Sequence, residues 1–303
     1  MPNIWTHILF IDELCKRTDK EELMETSSIG LHIGAQGPDP FFYHQFWPFL
    51  PKGDGEDIGM QLHTENCGPF LVDMVKKGVD QKHEMQAFIL GFISHHYLDR
   101  ITHPYVHYHS GYEANKHQLL EVAIDTFMLE KKLGLKTWKT PAYKEIRPKQ
   151  LIEPITNLLT ELIDKHLAHR ERSSIQPIVR QSYKHMYQAQ VVLYDPRGWK
   201  NRWFSSLVSA FSHKPLDDKD YVNDSHNIWY HSATNQPYQE SFIDLYERAL
   251  EEGSELFSII FEYWSSPSHD LLEEIKIKIS NISYDTGRPL YENQTNRFSS
   301  PIV

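Results

Sequence analysis

His95, Asp99 and His103 follow one another at four-residue intervals. On a helix that spacing stacks an imidazole, a carboxylate and a second imidazole one turn above another along one face. Such a stripe could hold metal, because Zn2+ takes three or four nitrogen or oxygen ligands at about 2 Å and a carboxylate can bridge two ions. His117 and Glu121 repeat the spacing, with Asp125 one turn further along. Polar groups of this kind on helices that must be buried need partners in the core, and facing stripes can find them in a shared metal. One His-x-x-x-Asp pair alone is more often an ordinary hydrogen-bonded pair. Two pairs in consecutive helices favour metal more strongly. His7, Asp39 and His63 lie on separate upstream segments that could join them, and His96, His107 and His109 are spare candidates. His166, His169 and His213 sit in polar contexts and read as solvated.

The elements that must position these groups are helical. Met85, Phe88, Ile89, Phe92, Ile93 and Leu98 recur at spacings of three and four, which predicts a long helix over 83–103. Pro104 should break or kink it near the end of the stripe. A second helix is predicted over 115–133, with Asn115 as N-cap and Gly134 as its stop. Others are expected near 6–18, 58–77, 149–169, 173–193, 200–212, 239–264 and 268–280. Long Gly/Pro-punctuated loops cover 34–55, 134–149 and 213–237. Strand alternation and internal repeats are absent. The expected fold is all-α, a multi-helix bundle with a metal cluster in the core of its N-terminal half. One domain is expected over 1–303, with 1–135 as the metal-binding core and 136–303 as additional packing helices.

Composition narrows the partners. The 303 residues are 40% hydrophobic and include 18 histidines, eleven of them within the first 117 positions. A formal charge of −10 offers no cationic surface for a phosphate backbone, so nucleic acid is excluded as an expected partner. The same sign argues against electrostatic docking on an anionic membrane. Cys15 and Cys67 are too few for a disulfide framework. No apolar run of about 18 residues marks a stable membrane anchor, and Asp12 and Glu13 interrupt the N-terminal apolar stretch too early for a signal peptide. A cytoplasmic location is the expectation. Oligomeric state is not specified.

The order of these residues resembles the zinc-dependent phospholipase C family, with a more distant likeness to S1/P1 nucleases. The family pattern is an early His, a Gly-x-x-x-Pro-Asp loop, a His on the next helix, a His-x-x-x-Asp helix ending in another His, and a His-x-x-x-Glu helix. The corresponding residues here are His7, the 34-GAQGPD-39 loop, His63, His95 with Asp99 and His103, and His117 with Glu121, all within about the first 130 positions. The resemblance implies one zinc held by Asp39, His63, His95 and Asp99, and a second held by His103, His117 and Glu121. It also implies a third position between Asp99 and His7. Secreted family members complete that position with an N-terminal Trp, whereas this chain begins Met1-Pro2 and has its first Trp at position 5, so two zinc ions are the expectation. The family's terminal His usually follows the bridging Asp by six residues. His103 at four and His107 at eight are the choices here, and His103 is preferred because it keeps the stripe in line and lies before the proline.

The activity implied is hydrolysis of a phosphoric ester by a zinc-activated water, with Asp39 orienting or deprotonating that water. The substrate would be a small molecule or a phospholipid head group. In the aromatic run 41-FFYHQFWPFL-50, Tyr43, Phe46 and Trp47 either pack a core or wall a cleft for lipid or a quaternary ammonium. Two rivals remain: a soluble, non-lipid substrate for the same centre, and a metal-stabilised helical protein without hydrolase activity that binds a partner through 195-DPRGWKNRWF-204. The one His-Asp dipeptide, His269-Asp270, lies far from the cluster, against a phosphohydrolase of the HD type.

Overall fold

The computed structural model describes residues 4–47, 51, 53–113, 115–167, 174–203 and 212–303. Its helices are α1 (Ile4–Arg17), α2 (Glu22–Thr26), α3 (Ser28–Gly34), α4 (Gly55–Thr64), α5 (Cys67–Gly78), α6 (His83–Ser110), α7 (Lys116–Leu133), α8 (Ile152–His166), α9 (Ile175–Leu193), α10 (Trp199–Trp203), α11 (Phe242–Ser265) and α12 (His269–Ile279). Among the described residues the only paired strands are β1 (Trp229–Tyr230) and β2 (Pro237–Tyr238), antiparallel and two residues each. The all-α expectation therefore holds. The sequence reading missed the short α2 and α3, and the predicted helix over 200–212 is described only as far as Trp203.

The axis of the fold is α6. Its 28 residues extend about 42 Å, and every residue from Ala87 to Val106 is buried. Buried on all sides, it packs against α1, α3, α5, α7, α8 and α11. The predicted break at Pro104 does not occur, and the helix continues to Ser110. Proline removes the N–H that would bond the Arg100 carbonyl. That oxygen is instead covered by the C-terminal segment at Gly287, whose φ is +60° and where an added Cβ would lie 2.1 Å from the Arg100 O. At the end of α6, the carbonyls of Tyr108 and His109 accept bonds from Ser300 N and Ile302 N, both 2.8 Å. The tail thus satisfies helix-terminal groups that would otherwise lack partners.

Two further predicted features differ. The helix expected over 58–77 is split into α4 and α5, because Asn66 adopts a left-handed φ of +50° that asparagine tolerates. Asn115 precedes α7 with φ +69° and makes no side-chain cap. The helix stops at Gly134, as predicted, in a left-handed conformation. A capping box starts α11, where Ser241 and Asp244 bond each other's backbone N–H.

Asp125, read from sequence as a third group on the α7 stripe, caps α1 instead. Its carboxylate accepts from Trp5 N at 3.0 Å, Thr6 N at 2.7 Å and Thr6 Oγ1 at 2.6 Å, so it anchors the turn that carries His7. His213 Nε2 lies 3.0 Å from the same carboxylate, and His166 Nε2 is 2.8 Å from Asp73. The expectation that these two histidines are solvated is therefore corrected: both are drawn inward by acids that periodicity does not reveal. His169 lies outside the described residues.

His32 joins three segments. Its Nε2 is 3.0 Å from Asp12 on α1, and its Nδ1 is 3.5 Å from Glu145 in the loop after α7. Burial alone would depress its pKa, but Asp12 and then Glu145 outweigh it and raise the imidazole to about 9. The resulting stabilisation is complete below the unfolded value of 6.5 and is lost as pH rises through 9. Denaturant titrations should show the wild type losing about 3 kcal/mol between pH 6.5 and 9 relative to His32→Gln. Parallel curves for the two proteins would remove His32 from that role.

Candidate metal centre

The α6 stripe forms the floor of a buried cluster. His95 Nε2 is 3.0 Å from Asp99 Oδ2 and 3.4 Å from Asp39 Oδ1, and His63 Nε2 is 3.5 Å from the same Asp39 oxygen. His7, from α1, stacks on His95 with ring centroids 4.0 Å apart and places its Nε2 3.4 Å from Asp99 Oδ1. The two oxygens of Asp99 therefore face different imidazoles. Donor atoms of His7, His95 and Asp99, and of Asp39, His63 and His95, lie within 4.8 Å of one another in each set.

Backbone acceptors aim two of these rings. His63 Nδ1 donates to Gly59 O at 2.7 Å, and His95 Nδ1 donates to Ala35 O at 2.9 Å. Each bond fixes the ring's orientation and aims Nε2 at the carboxylates of the cluster, the usual support for a metal-ligating histidine. The Gly-Pro loop allows this approach through Gly37, with φ +49°, where a Cβ would lie 2.4 Å from the His95 ring.

The arrangement is not an ordinary hydrogen-bond network. His95 Nε2, both ring nitrogens of His7, both oxygens of Asp99, Asp39 Oδ1 and both ring nitrogens of His103 are buried without hydrogen-bond partners. Buried polar atoms left this way are costly, and a shared cation would satisfy them together. The groups also act on one another's protonation. Burial pulls the pKa of His95 down, but Asp99 and Asp39 outweigh it and hold the ring up at about 10. Burial resists ionisation of Asp39, yet His95 and His63 lower it to about 2. Burial and then the charge of His95 push His7 down to about 4.

The second set gathers beside the first. His117 Nε2 is 2.6 Å from Glu121 Oε1, and the donors of His103, His117 and Glu121 lie within 4.8 Å of one another. His103 Nε2 is also 3.4 Å from Asp99 Oδ2, so it connects the two sets. The stated reason for passing over His107 fails, because α6 does not break before it. The His107 ring lies 5.5 Å from His103 and 4.7 Å from His117, and its donor falls in a separate group with His103 and Asp285. His103 is the one that groups with His117 and Glu121.

Sequence reasoning missed the contribution of the C-terminal segment. The Tyr284 ring packs 4.9 Å from His63 and 4.5 Å from His96, and its backbone N–H donates to His63 O at 3.1 Å. Asp285 Oδ1 is 3.6 Å from His103 Nδ1. No spacing in the chain links these positions to the α6 stripe. Of the spare histidines, His96 donates Nε2–H to Ile282 O at 3.0 Å, and His109 packs on Tyr105 with ring centroids 4.4 Å apart. Asp39, His117 and Asp285 keep 14%, 20% and 25% of their side chains exposed, whereas His7, His95, Asp99 and His103 keep no more than 1%. The cluster opens along those three residues.

The aromatic run follows Asp39 closely in the chain. Phe42 packs 5.4 Å from His63, Tyr43 and Phe46 meet at 5.8 Å, and Phe46 and Trp47 at 4.5 Å. Tyr43 Oη accepts from Gln190 Nε2 at 3.2 Å, which ties the run to α9.

A helical fold that concentrates imidazoles and carboxylates around one central helix defines a candidate metalloprotein of the bundle-core kind. The sequence profile described as zinc dependent phospholipase C matches residues 6–173, more than half of the chain. The chain belongs to the zinc-dependent phospholipase C family. No curated protein and no solved structure is significantly similar to it.

Proposed function

We propose that the protein is a zinc-dependent phosphoric ester hydrolase, phospholipase C-like, that directs water onto a phosphodiester. The supporting observation is the convergence of buried imidazole nitrogens and carboxylate oxygens without hydrogen-bond partners from α1, the Asp39 loop and α6, with the donors of His63, His117 and Glu121 grouped beside them. Asp39, His63, His95 and Asp99 would hold one ion, and His103, His117 and Glu121 a second. His7 with Asp99 would form a third position. Bound zinc supplies Lewis-acid activation of water and neutralises the phosphoryl oxygens.

The chain's own groups do the rest. Backbone bonds to His63 and His95 hold their lone pairs in place before any substrate arrives. Asp39 is the most exposed member of its set, which suits it to orient the attacking water. Its free edge would orient that water or take its proton. Tyr43, Phe46 and Trp47 form the proposed wall for a lipid or quaternary ammonium group.

Elemental analysis and a panel of phosphodiesters and phosphomonoesters, run on one purified sample, test this reading. Two zinc ions per chain with phosphodiester hydrolysis are expected. The Phe46→Ala/Trp47→Ala double variant should lose about tenfold more turnover on a choline lipid than on a water-soluble phosphodiester, a difference of ~1.4 kcal/mol. Equal losses point to a soluble substrate. Stoichiometric zinc without hydrolysis supports the partner-binding alternative, for which Trp199 and Trp203, 51% and 73% exposed, supply a surface.

A further inference from the structure

His63 and His95 obey one rule: Nδ1 is held by an acceptor behind the ring, and Nε2 faces a carboxylate of the cluster. His103 also has two carboxylates, Asp99 Oδ2 at 3.4 Å from Nε2 and Asp285 Oδ1 at 3.6 Å from Nδ1. Within α6 it has no backbone carbonyl behind Nδ1, and both nitrogens lack a hydrogen-bond partner. We propose that Asp285 is the positioning residue of the second metal position: its carboxylate stands at ion-pair distance behind Nδ1 of His103, on the side opposite the Nε2 that would be presented to the ion. The proposal rests on the zinc reading above.

The turn that carries Asp285 is built to deliver it. Ser283 Oγ accepts from Asp285 N at 3.2 Å and Thr286 N at 3.3 Å, and Asn296 Nδ2 donates to the Asp285 carbonyl at 3.2 Å. On one side Tyr284 bonds the His63 carbonyl, and on the other Gly287 sits against the Arg100 carbonyl left open by Pro104. The turn is therefore clamped at two points of the cluster's own helices, with Asp285 between them. His107, whose donor lies within 4.8 Å of those of His103 and Asp285, closes the same corner. A carboxylate behind a ligating imidazole fixes its tautomer and raises its basicity, and such partners are worth about 10–100-fold in metal affinity. Asp285 lies outside the residues that carry the family pattern.

Chelator competition, which reads zinc affinity directly, tests the assignment on the full chain. Asp285→Ala should weaken the zinc lost in His117→Ala by about 10–100-fold while leaving the other ion within about threefold. Adding it to His117→Ala should cost nothing further at the remaining position. Asp285→Asn, whose amide oxygen still accepts from Nδ1–H, should recover most of the loss. Unchanged affinities in Asp285→Ala overturn the positioning role and leave the zinc reading intact. Equal loss at both positions, with a lowered apo melting temperature and no rescue by Asn, also overturns it, in favour of a purely structural turn. A wild-type protein that takes up no zinc removes both readings.

Discussion

Asp99→Asn is expected to release zinc and to reduce phosphodiester turnover by more than about 10^3-fold, ~4 kcal/mol in barrier. The substitution keeps the shape of the side chain and removes its charge. Asp99 is fully buried, and its oxygens meet His7 at 3.4 Å, His95 at 3.0 Å and His103 at 3.4 Å. Those imidazoles hold its carboxyl well below the ordinary range against the cost of burial. An amide cannot balance cations on two sides, and its NH2 group would point a donor at a place where a ligand must donate electrons. Single-turnover kinetics and metal content on the same preparation measure both losses. Full zinc with turnover within about tenfold of wild type would mean that Asp99 is a structural acid and that the cluster works without it.

Removing the metal should lower the melting temperature by about 15 °C. At free zinc a thousandfold above Kd, one site contributes about 4 kcal/mol, so two contribute about 8 kcal/mol, and a chain of this size shifts roughly 2 °C per kcal/mol. The apo protein must also keep Asp99 and its imidazoles buried with only each other and the partly exposed Asp39 for compensation. Calorimetry before and after chelation, followed by restoration with zinc but not magnesium, provides the measurement. Nitrogen-rich donor sets favour zinc over the oxygen-seeking magnesium. A melting temperature unchanged by the chelator would separate the cluster from folding stability.

The parts of the centre legible in the sequence are those generated by helical repeat. His95, Asp99 and His103 share a face because they are four apart, and the same holds for His117 and Glu121. His7, Asp39 and His63 could be named from the sequence only as groups on separate segments able to join the stripe, and the family pattern assigned them, since three different elements carry them. Pro104 misled because the loss of one N–H is locally unfavourable, and nothing nearby shows that Gly287 covers the freed carbonyl. Asn66 was the overlooked sign that 58–77 is two helices: the apolar period carries across it while the backbone turns left-handed. Asp125 looked like part of the metal stripe because spacing gives the face of a side chain but not its partner, here the start of α1. Asp285 had no local signal at all, being placed by a turn whose own contacts are long-range.

The strap across Pro104 also orders events during synthesis. Chains emerge from the ribosome N-terminal end first, so α6 and its imidazoles are made before residues 281–303. Until Gly287 reaches the Arg100 carbonyl and Ser300 and Ile302 reach the end of α6, the central helix lacks its final partners. Residues 281–303 are therefore the segment that closes the centre over α6.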